Sequence, residues 1–321
     1  MEHLCSRIGP VLALLFFLSV SRMHKVRATP NLDLPTIVLV PGAWHSPVHY
    51  NLLFSRLKLS GYPIISGRLP SCSSPKPQIE TVAGDADYIR ETLLLPQINA
   101  GKDVVLVMHS YGGCPGSAAA AGLSKAAQTV AGKKGGIIGL IFVCGFIAHE
   151  GESLLSTLPG DKFNPWVIEY GNGQLGVENP QEIFYNDVNP TLAEAAINEL
   201  RNQSQNSLET PSGPPAWLEP YYDGRRAYLI CTKDDAIPPI GQEMMISNSK
   251  VPWDVHQIAA SHSPFLSQPS VVADWIDYEI AIFQSVGSNL TNISDSTVGA
   301  NATSPLMISP AEFNMTLAAV S

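Results

Sequence analysis

The sequence of 321 residues has few charged residues and no cluster of positive ones. Charged side chains make up 15% of the chain, and the formal net charge is −9. Nucleic acid is bound through a dense lysine and arginine surface, which this composition lacks, so we do not expect a nucleic-acid partner. Hydrophobic residues reach 45%, which is ample for a packed core and excludes a disordered chain.

Cysteine is scarce, and spacings typical of metal ligands are missing. Outside the first residues the cysteines are Cys72, Cys114, Cys144 and Cys231. Four cysteines in a chain of this size do not form a disulfide framework, so we expect buried thiols, with a single bridge left open. No CxxC or HExxH occurs, and His45 and His49 are four apart with no third ligand nearby in the sequence. We therefore expect neither a metal nor a cofactor.

The first apolar run, Ile8–Val20, follows Arg7. It is too short for a comfortable membrane span but typical of the apolar region of a secretory signal peptide. An N-terminal membrane anchor is the competing interpretation. We expect residues 1–28 to be a cleaved signal peptide, the mature chain to begin near Thr29, and the protein to be secreted without a stable membrane span.

The other end of the chain, residues 285–321, is rich in Ser, Thr and Asn and shows neither a helical nor a strand period. We expect a disordered tail. It contains clustered acceptor triplets for N-glycosylation, and a further triplet lies upstream: Asn202, Asn289, Asn292, Asn301 and Asn314. Together with a signal peptide, these triplets predict a glycoprotein.

Between these segments, strand-like and helix-like stretches alternate. The predicted strands are Thr36–Val40, Ile64–Ile65, Val104–Met108, Gly136–Cys144, Ala227–Cys231 and Val255–Ile258. Predicted helices lie near Val48–Leu59, Ile79–Leu95, after Gly112, and near Ile240–Ser247 and Ser270–Phe283. Alternating α and β elements with buried strands predict an α/β domain over residues 29–284, built on a doubly wound, mostly parallel sheet.

Residues 147–222 interrupt the alternation. They contain prolines, aromatic residues and the helical run that begins at Thr191, but no convincing strand. An insertion after a strand of an open α/β sheet lies over the crevice where ligands bind. We therefore expect a mainly helical lid, with a substrate pocket formed by Trp44, Phe146, Trp166 and Tyr185.

The segment from Asp103 to Gly113, DVVLVMHSYGG, predicts a buried strand, a sharp turn and a helix made of small residues. Such a turn presents Ser110 outward, and the N–H groups of the new helix point toward the same space. The pentapeptide around Ser110 resembles the nucleophile elbow G-x-S-x-G of α/β-hydrolases. Met108 departs from that motif, because it stands where the motif has glycine.

A serine nucleophile requires a base and an orienting acid, which in this fold follow in the order serine, acid, histidine. AYLICTKDDAIPP is a predicted strand that ends in Asp234 and Asp235, and VHQIAASHSPFLSQP is a strand followed by a loop with His262. Both follow strands, at the same edge of the sheet as Ser110.

Four blocks, VLVPGAWHSPVHYNLL, VVLVMHSYGG, YLICTKDDAIP and IAASHSPFLSQP, resemble the α/β-hydrolase branch that contains plant methyl-ester esterases and hydroxynitrile lyases. The resemblance covers roughly residues 35–283. It implies a catalytic set of Ser110, Asp234 and His262, with Asp235 as the alternative acid. PGAW resembles an oxyanion loop of the form H-G-x-W with proline in place of histidine, which implies the N–H groups of Ala43 and Tyr111 as oxyanion donors.

Within this branch the lyases carry a lysine after the catalytic histidine and a threonine in the oxyanion loop. This chain has Ser263 and Gly42 at those positions, which favours a hydrolase of small to medium carboxylic esters or lactones. Two alternatives stay open: a lyase, dehydratase or cyclase of secondary metabolism on the same fold, and a non-catalytic ligand-binding protein. The expected partner is a small-molecule ester, and the sequence indicates no oligomeric state.

Overall fold

The computed structural model describes residues 34–293, with side chains as far as residue 286. The predicted signal peptide and the acceptor triplets at Asn301 and Asn314 lie outside the described residues. Within the described residues, no helix combines the length and the apolar character that crossing a membrane requires.

The structure is built on a parallel six-stranded sheet with the order β2-β1-β3-β4-β8-β9. The strands of the chain are β1 Thr36–Val40, β2 Ile64–Ser66, β3 Asp103–His109, β4 Gly136–Val143, β5 Val167–Glu169, β6 Gln174–Val177, β7 Gln203–Ser204, β8 Arg226–Cys231 and β9 Asp254–Ile258. Every residue of β1, β4 and β8 is buried, as expected for strands covered by helices on both faces. The predicted doubly wound sheet is therefore confirmed.

Helices flank this sheet on both faces. They are α1 Asn51–Leu59, α2 Val82–Tyr88, α3 Leu95–Asn99, α4 Gly113–Ala120, α5 Lys125–Val130, α6 Pro180–Tyr185, α7 Pro190–Glu199, α8 Gln205–Glu209, α9 Pro239–Ser249, α10 Pro264–Ser267 and α11 Pro269–Ile293. A π-helical segment, Ile89–Leu94, joins α2 to α3. Pro96 follows this segment and has no N–H to donate, so the regular ladder of helical hydrogen bonds is interrupted there.

The strand order reverses at β1, whose neighbours are β2 on one side and β3 on the other. Ligands of open α/β sheets bind beyond the carboxyl ends of the strands at such a reversal. Val40 at the end of β1 is paired with Met108 near the end of β3. The loops that follow these two strands, residues 41–44 and 110–112, consequently begin side by side.

The insertion between β4 and β8 contains the expected helices and, in addition, short strands that the sequence did not indicate. Besides α6, α7 and α8 it holds a three-stranded antiparallel sheet in the order β5-β6-β7. These strands are two to four residues long, too short to show a period of two in the sequence. Gly171 and Gly173, both with positive φ, form the turn between β5 and β6.

Helix α11 continues to Ile293, beyond the start of the predicted tail at Ser285. The expectation of irregular chain was therefore wrong for residues 285–293, and Asn289 and Asn292 lie on this helix. Its packed part ends earlier: Phe283 is 2% exposed and covers Gly139 of β4, where a Cβ would overlap the phenyl ring. The four cysteines of the described residues are free and buried, as expected.

Candidate active site

Ser110 lies at the tip of a sharp turn between β3 and α4. Its φ is +52°, a left-handed conformation that non-glycine residues rarely adopt. A Cβ on Gly112 would lie 2.7 Å from the carbonyl oxygen of Pro41, and a Cβ on Gly113 would overlap the carbonyl oxygen of Phe146. The small residues after Ser110 are therefore required by the close crossing of strand and helix.

Met108 replaces the first glycine of the elbow motif, and Gly116 accommodates it. The Met108 side chain is fully buried. A Cβ on Gly116 would lie 2.8 Å from both Cγ and Sδ of Met108. The large Met108 side chain on β3 therefore occupies the space left by the missing side chain of Gly116 on α4.

His262 is hydrogen-bonded to Asp234, with 2.7 Å between Nδ1 and Oδ2, and both residues are 2% exposed. The other carboxylate oxygen of Asp234 accepts the N–H groups of Ala236 and Ile237, each at 2.8 Å. Because a carboxylate accepts, Nδ1 of His262 carries the proton and the lone pair is on Nε2. Asp235 is exposed and accepts a hydrogen bond from Asn186 at 2.6 Å, so it points away from this pair.

Ser110 and His262 line the same cavity. Its lining residues are Ala43, Trp44, Ser110, Tyr111, Phe146, Leu154, Leu158, Phe163, Asn164, Trp166, Val167, Phe184, Leu208, Ala236, Ile237 and His262. None of these lining residues has a charged carboxylate, ammonium or guanidinium group. The two residues expected to supply oxyanion donors, Ala43 and Tyr111, line the same cavity as the serine.

Three of the four predicted pocket residues line this cavity: Trp44, Phe146 and Trp166. Tyr185 was a wrong prediction, because its hydroxyl is bonded instead to Nε2 of His45 at 3.0 Å. The preceding residue on α6, Phe184, faces the cavity, and its ring lies 5.8 Å from the rings of both Trp44 and Trp166. Adjacent residues of a helix point in different directions, so Phe184 and Tyr185 face different surroundings. Which of them faces the cavity depends on how α6 packs, and the sequence alone does not show this.

The oxyanion loop, residues 41–44, is tethered at three successive residues. The N–H of Gly42 donates to the Tyr50 oxygen at 3.1 Å, Nδ1–H of His45 donates to the carbonyl of Ala43 at 2.8 Å, and the N–H of Trp44 donates to Gln203 Oε1 at 3.2 Å. Gly42 permits close approach to the serine, because a Cβ there would lie 2.8 Å from Ser110 Cβ.

A family model described as the alpha/beta hydrolase family matches residues 37–275. The chain belongs to the alpha/beta hydrolase family. The alpha/beta hydrolase nvfD of Aspergillus novofumigatus is 33% identical over 247 residues, which cover 75% of this chain and 95% of that protein. The probable hydrolase R7 of a Phoma species is 29% identical over 256 residues, covering 75% of this chain and 96% of that protein. These relatives confirm the prediction of a hydrolase.

A solved structure, the methylesterase MES16 of Arabidopsis, is similar to this hydrolase with a TM-score of 0.56 at 17% identity. The similarity covers 77% of this chain and 99% of the methylesterase. At this identity the comparison shows a shared fold. The family and the architecture that the sequence resemblance implied are thereby confirmed.

Behind the serine of this hydrolase lies His109, which the sequence did not single out. Nε2–H of His109 donates to the carbonyl of His262 at 2.9 Å, and the Tyr50 hydroxyl lies 2.8 Å from Nδ1. Burial, followed by the proximity of His262, holds the pKa of His109 well below its usual value. The position of His109 directly before the elbow serine is a signal that the sequence offers. No motif in the sequence around Tyr50 indicates its role.

A second buried network surrounds Asp85. Its carboxylate accepts the Tyr111 hydroxyl at 2.7 Å, the N–H of Ser71 at 3.0 Å and the Ser71 hydroxyl. Gln203 donates from Nε2 to Ser71 Oγ at 2.7 Å while its oxygen holds the N–H of Trp44. Burial raises the pKa of Asp85 to about 6, although the hydrogen bonds lower it in part. The Asp85 carboxyl therefore holds both sides of the expected oxyanion hole. It binds Tyr111 directly, and it binds the loop that contains Ala43 through Ser71 and Gln203.

Two clusters in the described residues place three possible metal ligands close together. In the first, His109, Cys144 and His262, both histidines are engaged in the hydrogen bonds above, and burial raises the pKa of the Cys144 thiol. The second consists of Asp254, His256 and Glu279, where Nε2 of His256 lies 3.1 and 3.2 Å from the two carboxylates. Burial lowers the pKa of His256, but the carboxylates outweigh burial and raise it to about 9.

Proposed function

We propose that this hydrolase is a serine enzyme that cleaves a small to medium, uncharged carboxylic ester or lactone through an acyl-enzyme. The observation that carries the proposal is the meeting of Ser110 and His262 in one cavity, with His262 bonded to the buried Asp234 at 2.7 Å. The order of these residues, each after a parallel strand of the sheet, supports the same assignment.

In the proposed reaction, Ser110 Oγ forms a bond to the ester carbonyl carbon while Nε2 of His262 takes the hydroxyl proton. Asp234 keeps Nδ1 protonated and stabilises the imidazolium that forms. Collapse of the tetrahedral intermediate breaks the bond to the alcohol oxygen, which leaves with the proton from His262. Water then attacks the acyl-enzyme with His262 again acting as base, and the acid is released.

The N–H groups of Ala43 and Tyr111 are the proposed donors to the oxyanion. Ala43 lies in the tethered loop after β1, and Tyr111 lies on the first turn after Ser110. Because these donors are backbone groups held by surrounding hydrogen bonds, little reorganisation is required as charge develops on the oxygen. Such a donor contributes about 3 kcal/mol to transition-state stabilisation.

An uncharged substrate is supported by the lining of the cavity. Its polar groups are concentrated at Ser110, His262, Tyr111 and Asn164, and the remaining lining residues are apolar. A carboxylate carried into such a cavity would lose hydration without gaining a cationic partner.

The proposal is tested with two esters of similar length, 4-nitrophenyl butyrate and 4-nitrophenyl hemisuccinate. We expect the neutral ester to be cleaved with a kcat/KM at least tenfold higher, on the order of the cost of burying an unpaired charge. A fluorophosphonate should add its mass to Ser110. The Ser110→Ala variant should fold, lose turnover and resist labelling, whereas Ser263→Ala, a buried neighbour of His262 outside the cavity lining, should retain both. Full turnover by Ser110→Ala would rule out the serine mechanism.

We also propose that the protein is exported and glycosylated. The apolar run at Ile8–Val20 and the clustered acceptor triplets motivate this proposal. Within the described residues Asn202 is exposed, and its Nδ2 donates to Gln174 at 3.1 Å. Expression in a eukaryotic secretory host should yield a mature chain beginning near Thr29, whose gel band sharpens after glycosidase treatment. An intracellular product with Met1 attached and no glycan mass would contradict both parts.

A further inference from the structure

A chain of buried hydrogen bonds connects the oxyanion loop to the histidine loop behind Ser110. It runs from the N–H of Gly42 to the Tyr50 hydroxyl, then to the ring of His109, and ends at the carbonyl of His262. The successive heavy-atom distances are 3.1, 2.8 and 2.9 Å. Tyr50, His109 and His262 are at most 2% exposed, so water does not compete for these bonds.

The two ends of this chain, together with a neutral His109, determine the direction of every bond. The carbonyl of His262 can only accept, so His109 must carry its proton on Nε2. A neutral His109 then offers a lone pair on Nδ1, and the Tyr50 hydroxyl must donate to it. The N–H of Gly42 can only donate, so the Tyr50 oxygen accepts this hydrogen bond. With His109 neutral, no other assignment of protons satisfies all three bonds.

Ring packing holds the two middle residues in place. The ring of Phe265, on α10, lies 4.3 Å from the ring of Tyr50 and 4.9 Å from that of His109. His109 is also 4.7 Å from the ring of His262, and its pKa lies well below the usual value. A neutral ring at this distance avoids repulsion with the imidazolium of His262 that the proposed reaction forms.

We propose that Tyr50 and His109 are positioning residues that hold the oxyanion loop, Ser110 and the loop of His262 in one fixed arrangement. Neither residue lines the substrate cavity described above, so both act through Gly42 and His262. The role assigned to them depends on the proposed serine mechanism. It predicts effects on kcat with little effect on KM, because substrate contacts are unchanged.

The first test uses Tyr50→Phe, which removes one hydroxyl and keeps the ring packed on Phe265. We expect kcat for 4-nitrophenyl butyrate to fall about tenfold, the usual effect of leaving buried hydrogen-bonding groups unpaired, with KM within about twofold. Tyr62→Phe is the matched control. Its hydroxyl donates to Asp277 of α11 at 2.5 Å, and neither residue lines the cavity, so a comparable loss of stability should leave kcat unchanged.

The second test separates the two bonds of His109. His109→Leu removes both and should lower kcat about a hundredfold. His109→Gln can restore a donor near the position of Nε2 and should recover part of this loss, whereas His109→Asn retains only an acceptor near Nδ1 and should not. Because Tyr50 and His109 share one bond of the chain, the losses in the double variant Tyr50→Phe/His109→Leu should be less than additive. Unchanged kcat in these variants, or additive losses in the double variant, would overturn the proposal.

Failure of the serine mechanism would be recognised separately, because the wild type would then show no turnover or Ser110→Ala would retain it. In that case ¹⁵N NMR of the histidine rings still tests the chain of bonds. Between pH 5 and 8, His109 should remain neutral with its proton on Nε2, and its Nδ1 resonance should shift in Tyr50→Phe but not in Tyr62→Phe. A protonated His109, or a proton on Nδ1, would overturn the assignment whatever the activity.

Discussion

Strained backbone conformations mark the proposed site residue by residue. Trp44, Ser110 and Cys144 have φ values of +62°, +52° and +36°, in a region that favours glycine. Each lies just after the carboxyl end of one of three adjacent strands, β1, β3 and β4. Such a conformation costs on the order of 1–3 kcal/mol and persists only where the surroundings enforce it. The tethers on the oxyanion loop and the close crossing at Gly112 supply that enforcement.

At the same scale, the choice between neighbouring aspartates can be tested directly. Asp234→Asn removes the acceptor for His262 Nδ1–H and permits the wrong tautomer, so kcat should fall by about 10⁴. Asp235→Asn changes an exposed residue bonded to Asn186 and should leave kcat close to that of the wild type. Steady-state kinetics of both variants checks this ranking, and the reverse ranking would transfer the role of the acid to Asp235.

Asp85 predicts a pH dependence of stability. Burial raises its pKa from 3.8 to about 6, so the folded state holds the proton more tightly than the unfolded state does. The corresponding stability is present below pH 4 and lost as pH rises through 6; about two pKa units correspond to about 3 kcal/mol. Urea unfolding at several pH values should show Asp85→Asn gaining up to about 3 kcal/mol relative to wild type between pH 4 and 7. A difference independent of pH would contradict the shift.

At the scale of the element, β3 and α4 pack closely because a large side chain on the strand lies against a glycine on the helix. The strand carries Met108 where a smaller residue is usual in the elbow motif, and the helix offers Gly113 and Gly116 in its first turns. The two glycines face different neighbours. Gly113 approaches rigid backbone at Phe146, whereas Gly116 approaches the flexible Met108 side chain.

A pair of alanine variants tests this fit. Gly113→Ala would drive a methyl group into the carbonyl of Phe146 and should lower the free energy of unfolding by about 1–3 kcal/mol. Gly116→Ala displaces a side chain with several rotamers and gains helix propensity of up to about 1 kcal/mol, so its stability should stay near that of the wild type. Thermal or urea unfolding measures both, and equal losses would show that the two contacts are equally rigid.

At the scale of the whole molecule, the long helix α11 closes the described fold against the sheet. Its buried residues Val272, Ile276, Ile280 and Phe283 recur at helical spacing along one face. Glu279 on the same helix is fully buried and lies 3.2 Å from His256 of β9, the edge strand. An ion pair at the last strand therefore accompanies the apolar contacts that dock this helix.

Alkaline pH should weaken the packing of α11 against the sheet. The carboxylates of Asp254 and Glu279 raise the pKa of His256 to about 9 against the effect of burial, so the folded state retains a proton that the unfolded state releases near 6.5. The contribution of protonated His256 to the free energy of unfolding is fully present below pH 6.5 and is lost as pH rises through 9. Comparing wild type with His256→Asn by urea unfolding should show the wild-type advantage shrinking across this interval. A constant difference up to pH 10 would contradict the raised pKa.

The sequence by itself determined the core strands, the parallel sheet, and the placement of Ser110, the Asp234–Asp235 pair and His262 at one edge of that sheet. Buried parallel strands are continuous apolar runs, and their carboxyl ends share one edge of the sheet, so local composition and chain order suffice to bring these side chains together. The buried state of Cys144 and Cys231 followed from the same apolar runs. These features depend on patterns within a few residues or on the order of elements.

Tertiary structure alone decided the rest. Tyr50, His109, Asp85 and Gln203 act through partners far away in sequence, and Phe184 rather than Tyr185 faces the cavity because α6 docks in one helical phase. The short strands β5, β6 and β7 exist because they pair with one another, which no period of two over so few residues can indicate. Pairing, phase and buried hydrogen bonds are set when separate segments pack together, so they leave little local signal in the sequence.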